Sequence, residues 1–173
     1  MIDTDALNRQ PLGTLMLHHV WANLRILAAC QQLSADHFDA TLPGTFGTIR
    51  TTLAHLVESE YGYLRLLGLP ASLPTTGPVD QLTLDQLEVL LTQSGAQLVD
   101  LAQSGASAAA YAVTAHGTTW QVPLGFLLAQ VVNHATEHRT NITTIMSSLG
   151  IDAPETSPWM YFLALHAAPG SAP

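Results

Sequence analysis

The sequence predicts an all-α fold: a four-helix bundle with a small β-hairpin before the fourth helix and a short helical segment at the C-terminal end. Three observations predict it. Four long stretches carry apolar residues at three- and four-residue spacing, and Pro and Gly punctuate the gaps between them. Each stretch of ~23 to 27 residues would also be about 35 to 40 Å long at 1.5 Å per residue, the dimension of a bundle.

The first stretch runs from about Pro11 to Leu33, with Leu12, Leu15, Met16, His19, Ala22, Ile26 and Ala29 near one face and Pro11 placed for a first helical turn. The second, from about Thr45 to Leu67, follows Pro43-Gly44 and stops at Gly68 and Pro70; Ile49, Leu53, Leu56 and Leu64 form its stripe. The third begins at Thr83, which has capping-box spacing to Gln86, and carries Leu84, Leu87, Leu90, Leu91 and Leu98 towards Ser104. The fourth is bracketed by Pro123 and Gly150 and carries Leu127, Val131, His134, His138, Ile142, Ile145 and Leu149. Between the third and fourth, two β-branched and aromatic runs around His116-Gly117, from Tyr111 to Val122, predict a hairpin. A last helical segment is expected from Trp159 to Leu165, and a frayed tail over residues 167–173.

The 173 residues fit one domain, 1–173. Hydrophobic residues make up 47% and charged residues 10%, enough to build a core and too apolar for disorder. The net charge is −8, there is no lysine, and the five arginines are scattered. Nucleic acid and anionic membrane surfaces, which need clustered cations, are therefore excluded as expected partners. The only cysteine, Cys30, rules out an intrachain disulfide and any multi-cysteine metal site. MIDTDALNRQ lacks the basic and apolar regions of a signal peptide, and no apolar run reaches bilayer length, so a cytoplasmic protein is expected.

Eight histidines outnumber the arginines. His134 and His138 lie four apart on the apolar stripe of the fourth helix, so both rings project from one face about one turn apart, as two ligands of one metal do. His55 lies on or beside the Leu53/Leu56 stripe. The second helix has its midpoint near Leu56 and the fourth near Thr136, so His55 is expected to face the pair across the core. Three neutral imidazoles leave coordination positions for water or substrate and suit Zn²⁺ or Ni²⁺ before Mn²⁺ or Fe²⁺. Di-iron carboxylate chemistry needs two Glu-x-x-His motifs, and none is present.

HATEH also matches the inverzincin pattern H-x-x-E-H, but Glu137 lies about 80° from the direction midway between the two histidines. A solvated Glu137, or one orienting a ligand ring, is the better reading. Of adjacent His18 and His19, at most one is expected to face inward, and His19 is a candidate fourth ligand. His116 is expected in a turn, and His37 and His166 at the surface. Arg139 is expected to face sideways, pinning an acidic neighbour or binding an anionic substrate. Trp21, Asn23, Trp120 and Tyr63 are candidates to line a pocket, and Cys30 is expected to be inert filler.

HHVWANLRIL in the first helix, TLAHL in the second, the hairpin ending TWQVPLG and, above all, VVNHATEHRTNITTIMSSLG resemble the DinB/YfiT-like family. The resemblance implies a four-helix bundle holding one divalent metal on His55, His134 and His138, in a homodimer. Many relatives have Gln where this chain has the shorter Asn141, the other candidate to orient a ligand ring. The implied function is that of a metal-dependent enzyme, a hydrolase or a thiol-dependent S-transferase in stress response or detoxification. Related proteins transfer thiols such as bacillithiol or mycothiol to electrophiles, or isomerise maleylpyruvate with a thiol cofactor. A low-molecular-weight thiol and a small-molecule electrophile would then be the partners. A non-catalytic dimeric bundle tied by its metal, and a metal-storing or metal-sensing module, are the alternatives; a fourth protein ligand such as His19 would favour the structural reading. Because ligand imidazoles must be neutral, metal loss is expected below about pH 6.

Overall fold

The computed structural model describes residues 10–73, 77–104 and 109–167, so the expected tail lies outside the described residues from 168 onward. Six α-helices and one antiparallel hairpin are present among them.

Helix α1 (Pro11–Cys30) starts with its proline in the first turn and ends three residues short of the expected Leu33. Ser34 then caps a four-residue helix, α2 (Ala35–Phe38), which periodicity did not predict; Ser34 Oγ accepts from the His37 amide at 3.2 Å. Helix α3 (Ile49–Leu66) begins four residues later than expected, because Thr45 folds back to donate to the Leu42 carbonyl at 2.7 Å and Thr48 supplies the N-cap. A short 3-10 turn, Val79–Gln81, packs on α3. Helix α4 (Leu84–Gln103) opens with the expected capping box: Thr83 Oγ1 accepts from Gln86 N at 3.2 Å, and Gln86 Oε1 accepts from Thr83 N at 2.9 Å.

Strands β1 (Ala110–Ala115) and β2 (Thr118–Pro123) pair around His116-Gly117, where φ is 49° and 75°. Two consecutive positive φ values belong to the hairpin turn whose twist matches its strands. Pro123 then caps α5 (Leu124–Ser148). Both α3 and α5 end in a Schellman motif: Gly68 and Gly150 take φ of 72° and 73°, and the following amides of Leu69 and Ile151 return to the carbonyls of Leu64 and Met146 at 2.9 and 3.0 Å. Helix α6 (Pro158–His166) starts at the Ser157 cap and packs on α1.

Helix α1 packs against α4 and α5, and α3 against the same two. Their apolar stripes form two buried clusters. One contains Ile26, Leu56, Leu90 and Ile145, and the other Met16, Leu64, Leu98 and Val131. Along α1 and α5 the chain meets the second cluster first; along α3 and α4 it meets the first one first. Each helix therefore crosses the boundary between the clusters near its middle, where His19, Asn23, Glu60, Ser94 and Arg139 form a buried polar layer. No helix among the described residues is long and apolar enough to cross a membrane.

Candidate metal centre

His55 on α3 and His134 and His138 on α5 each offer a ligand atom within 4.8 Å of the others. His55 faces the α5 pair across the core, as expected: the ring centroids are 5.3 Å apart for His55 and His134, 4.7 Å for His55 and His138, and 4.5 Å for the pair on α5. Nε2 of His134 and Nε2 of His138 are 3.2 Å apart. Two nitrogens each ~2.1 Å from one ion at the tetrahedral angle lie ~3.4 Å apart, so the pair is at ligand spacing. Nδ1 of His138 is buried and has no hydrogen-bond partner among the described residues. Three aromatic nitrogens without a carboxylate among them fit a borderline divalent ion such as zinc or nickel.

Burial is the largest influence on the α5 pair. It holds the His134 ring below the usual imidazole range, with the neighbouring His55 acting in the same direction. His138 is pushed down to about 4, by burial first and then by His134 and His55; Glu137 opposes both shifts. Both rings are therefore neutral at pH 7, the form in which a lone pair is free for a metal.

Sequence reasoning missed Phe46. It comes from the loop before α3, stacks on His55 with centroids 4.3 Å apart, and presents an edge contact to His138 at 4.8 Å while remaining 53% exposed. No local periodicity marks a loop residue, so its place beside the rings follows from tertiary packing alone. Tyr63 stands edge-on to His134 at 6.0 Å, and Ser59 Oγ lies 3.3 Å from His55 Nε2. A cavity of about 220 Å³ beside His55 is walled by Phe46, Thr51, Glu58 and Asp80.

His19 is no fourth ligand. Its Nε2 donates to Glu60 Oε1 at 2.7 Å, inside the polar layer. Glu60, only 3% exposed, also accepts from Asn23 Nδ2 at 2.6 Å and from Ser94 Oγ. Arg139 belongs to the same layer instead of facing sideways. Its Nη1 donates to Asn23 Oδ1 at 2.6 Å and its Nη2 to Thr136 Oγ1 at 2.7 Å. Burial pulls this guanidinium down to about 10, which still leaves it charged at neutral pH. One signal for the layer was present in the sequence: Glu60 continues the Leu53, Leu56, Leu64 stripe, and Ser94 falls between Leu91 and Leu98.

His18 and His19 are both buried, contrary to the expectation that only one could be. Helix α6 and the segment before it cover the flank on which His18 lies: Nε2 donates to the Thr156 carbonyl at 2.9 Å, and Trp21 and Tyr161 pack on the ring. Glu137 is exposed and accepts from Asn133 Nδ2 at 2.9 Å, and Asn141 Nδ2 donates to the Glu137 carbonyl at 2.8 Å. Neither bond reaches a triad ring. Asn23 lies in the polar layer, Trp21 packs on His18, and Trp120 is half exposed. His37, His116 and His166 are exposed, and burial pushes the Cys30 thiol up to about 12, which leaves it inert.

The family model of the DinB family matches residues 4–170, nearly the whole chain. No curated protein matches it.

Proposed function

Because the chain belongs to the DinB family, we propose that it is a metal-dependent enzyme whose α1, α3, α4 and α5 form a single-domain four-helix bundle around one divalent ion on His55, His134 and His138. The observation that carries this reading is the convergence of three imidazoles from two helices within 4.8 Å, without a carboxylate among them. Zinc or nickel suits three neutral nitrogens best, with manganese or iron next. Such an ion supplies Lewis acidity, lowering the pKa of a thiol or water brought to it.

The protein's own groups then have distinct tasks. Desolvation keeps His134 and His138 unprotonated, so they stay available as ligands at neutral pH. Phe46 screens one side of the rings from water and gives an apolar surface for an incoming electrophile. The cavity beside His55 gives a small molecule access from the α3 side. The reaction class we infer is transfer of a low-molecular-weight thiol to an electrophile, or a hydrolysis, in detoxification within the cytoplasm by a homodimer.

The test joins composition to turnover. Elemental analysis of the wild type is expected to give about one divalent ion per chain, with thiol consumption against a chromogenic electrophile that disappears on chelation and returns on reloading. Turnover unchanged after the metal is stripped would remove this mechanism. A protein that holds one ion yet consumes none of a broad thiol panel would be the non-catalytic metal-binding bundle instead.

A further inference from the structure

A cavity of about 550 Å³ lies away from the imidazole triad, between α1, α5 and the segment Ala153–Pro158. Its α5 residues, Val132, Thr136, Arg139, Thr140 and Thr143, are centred about 160° around the helix from His134 and His138. The two sites therefore occupy opposite flanks of one helix.

Two side chains lining this cavity are more than nine-tenths buried and carry a nitrogen with no partner among the described residues, Nε of Arg139 and Nδ1 of His18; both atoms lie just behind the cavity surface, so a ligand meets them as the side chains shift towards it. Arg139 spends Nη1 and Nη2 on neutral acceptors, Asn23 and Thr136. The layer's carboxylate, Glu60, takes His19, Asn23 and Ser94, and is joined to Arg139 only through Asn23. A buried cation without a directly bonded anion is costly, so this wall favours a negative group. His18 asks for the opposite partner. Its Nε2 bonds to a carbonyl oxygen and must carry the proton, so its neutral ring offers Nδ1 only as an acceptor.

Leu15, Val132, Pro154 and Pro158 make much of the remaining wall apolar. Glu155 is the one carboxylate in the lining; it is exposed and accepts from Ser157 Oγ at 2.9 Å. Its charge works against a second negative group on the ligand. We propose that this cavity binds a small organic monocarboxylate bearing a hydroxyl, its carboxylate towards Arg139, its hydroxyl donating to His18, and its hydrocarbon body against the apolar wall.

Calorimetric titration of the full chain with mandelate tests this, with phenylacetate, which lacks the hydroxyl, methyl mandelate, which lacks the charge, and inorganic phosphate as comparisons. Mandelate is expected to bind, and the first two analogues to bind about tenfold or more weakly, the effect of leaving one hydrogen-bonded or charged group unmatched. Phosphate, without an apolar body, is expected not to bind. His18→Phe should bring mandelate down to the affinity of phenylacetate. Ala153→Phe, which fills the cavity from outside the polar layer, should abolish binding while the helical circular dichroism and a cooperative melt are kept, and His55→Ala should leave it intact, separating this site from the metal centre. Phenylacetate or methyl mandelate binding as tightly as mandelate, phosphate binding in its place, undiminished binding to Ala153→Phe, or no mandelate binding at about 10 mM, an interaction weaker than ~3 kcal/mol, would overturn it.

Discussion

Helices α3 and α5 each contribute to two polar clusters, and the two are built on opposite principles. In the layer around Glu60, unlike groups are paired: a carboxylate collects donors from His19, Asn23 and Ser94, and Asn23 passes the connection on to Arg139. Around His55 like groups are massed, three imidazoles with two Nε2 atoms 3.2 Å apart. The first arrangement ties four helices together. The second brings together rings that disfavour one another's protonation, and its worth to the protein lies in the ligand it can hold. Buried histidine alone does not separate function from structure; the partner of each ring does.

The strongest way to sharpen this contrast is Glu60→Ala. It should leave His19, Asn23, Ser94 and Arg139 without their common acceptor and destabilise the fold by about 3 to 5 kcal/mol, read from urea denaturation of the metal-free protein. A loss below about 1 kcal/mol would mean that the layer does not hold the helices. His138→Ala should do the reverse, weakening metal affinity by ~100-fold or more in a chelator competition while changing metal-free stability by less than about 1 kcal/mol. Equal metal content in wild type and variant would remove His138 from the centre.

Acid should separate the clusters as well. In the folded protein His134 and His138 titrate below the ordinary value of 6.5, His138 near 4, so between these values the unfolded chain binds more protons. The stability of the metal-free protein is therefore full above 6.5 and is lost as pH falls towards 4. At His134 and His138 protons compete with the metal only once those rings titrate, which lowers the pH at which these two ligands let go below the value of about 6 that ordinary imidazoles would give. Metal analysis after dialysis across this range checks it, and a release midpoint above about 6.5 would contradict the depressed rings.

Smaller effects should come from the edges of the centre. Phe46→Ala should keep the metal and raise KM for an apolar electrophile by ~3- to 10-fold, the loss of one aromatic contact. Glu137→Gln should only slightly lower the His138 titration, read by NMR, since Glu137 is exposed and screened.

Features set by neighbours in sequence were legible from the chain alone. The i, i+4 spacing of His134 and His138, the Thr83/Gln86 box, the positive-φ turn at His116-Gly117 and the glycine stops of α3 and α5 all depend on residues a few positions apart. Features set by distant partners were not. Glu60 is buried because residues 37 and 41 positions before it and 34 positions after it supply donors. His18 is covered by a segment 138 positions away, and Phe46 reaches His138 from a loop that no periodicity governs. The triad was found because its two-helix geometry needed only one long-range assumption, that helices of similar length pack with level midpoints.

One pair of adjacent residues ties these systems together. His138 looks towards α3 and the other rings, while Arg139 reaches Asn23 on α1. Successive residues on a helix are 100° apart in azimuth, so both engagements are met at a single phase of α5. Rotating the helix to improve either would break the other. An insertion or deletion of even one codon between Pro123 and His134 would therefore be absorbed in the hairpin, as altered strand register, before it was absorbed by the helix.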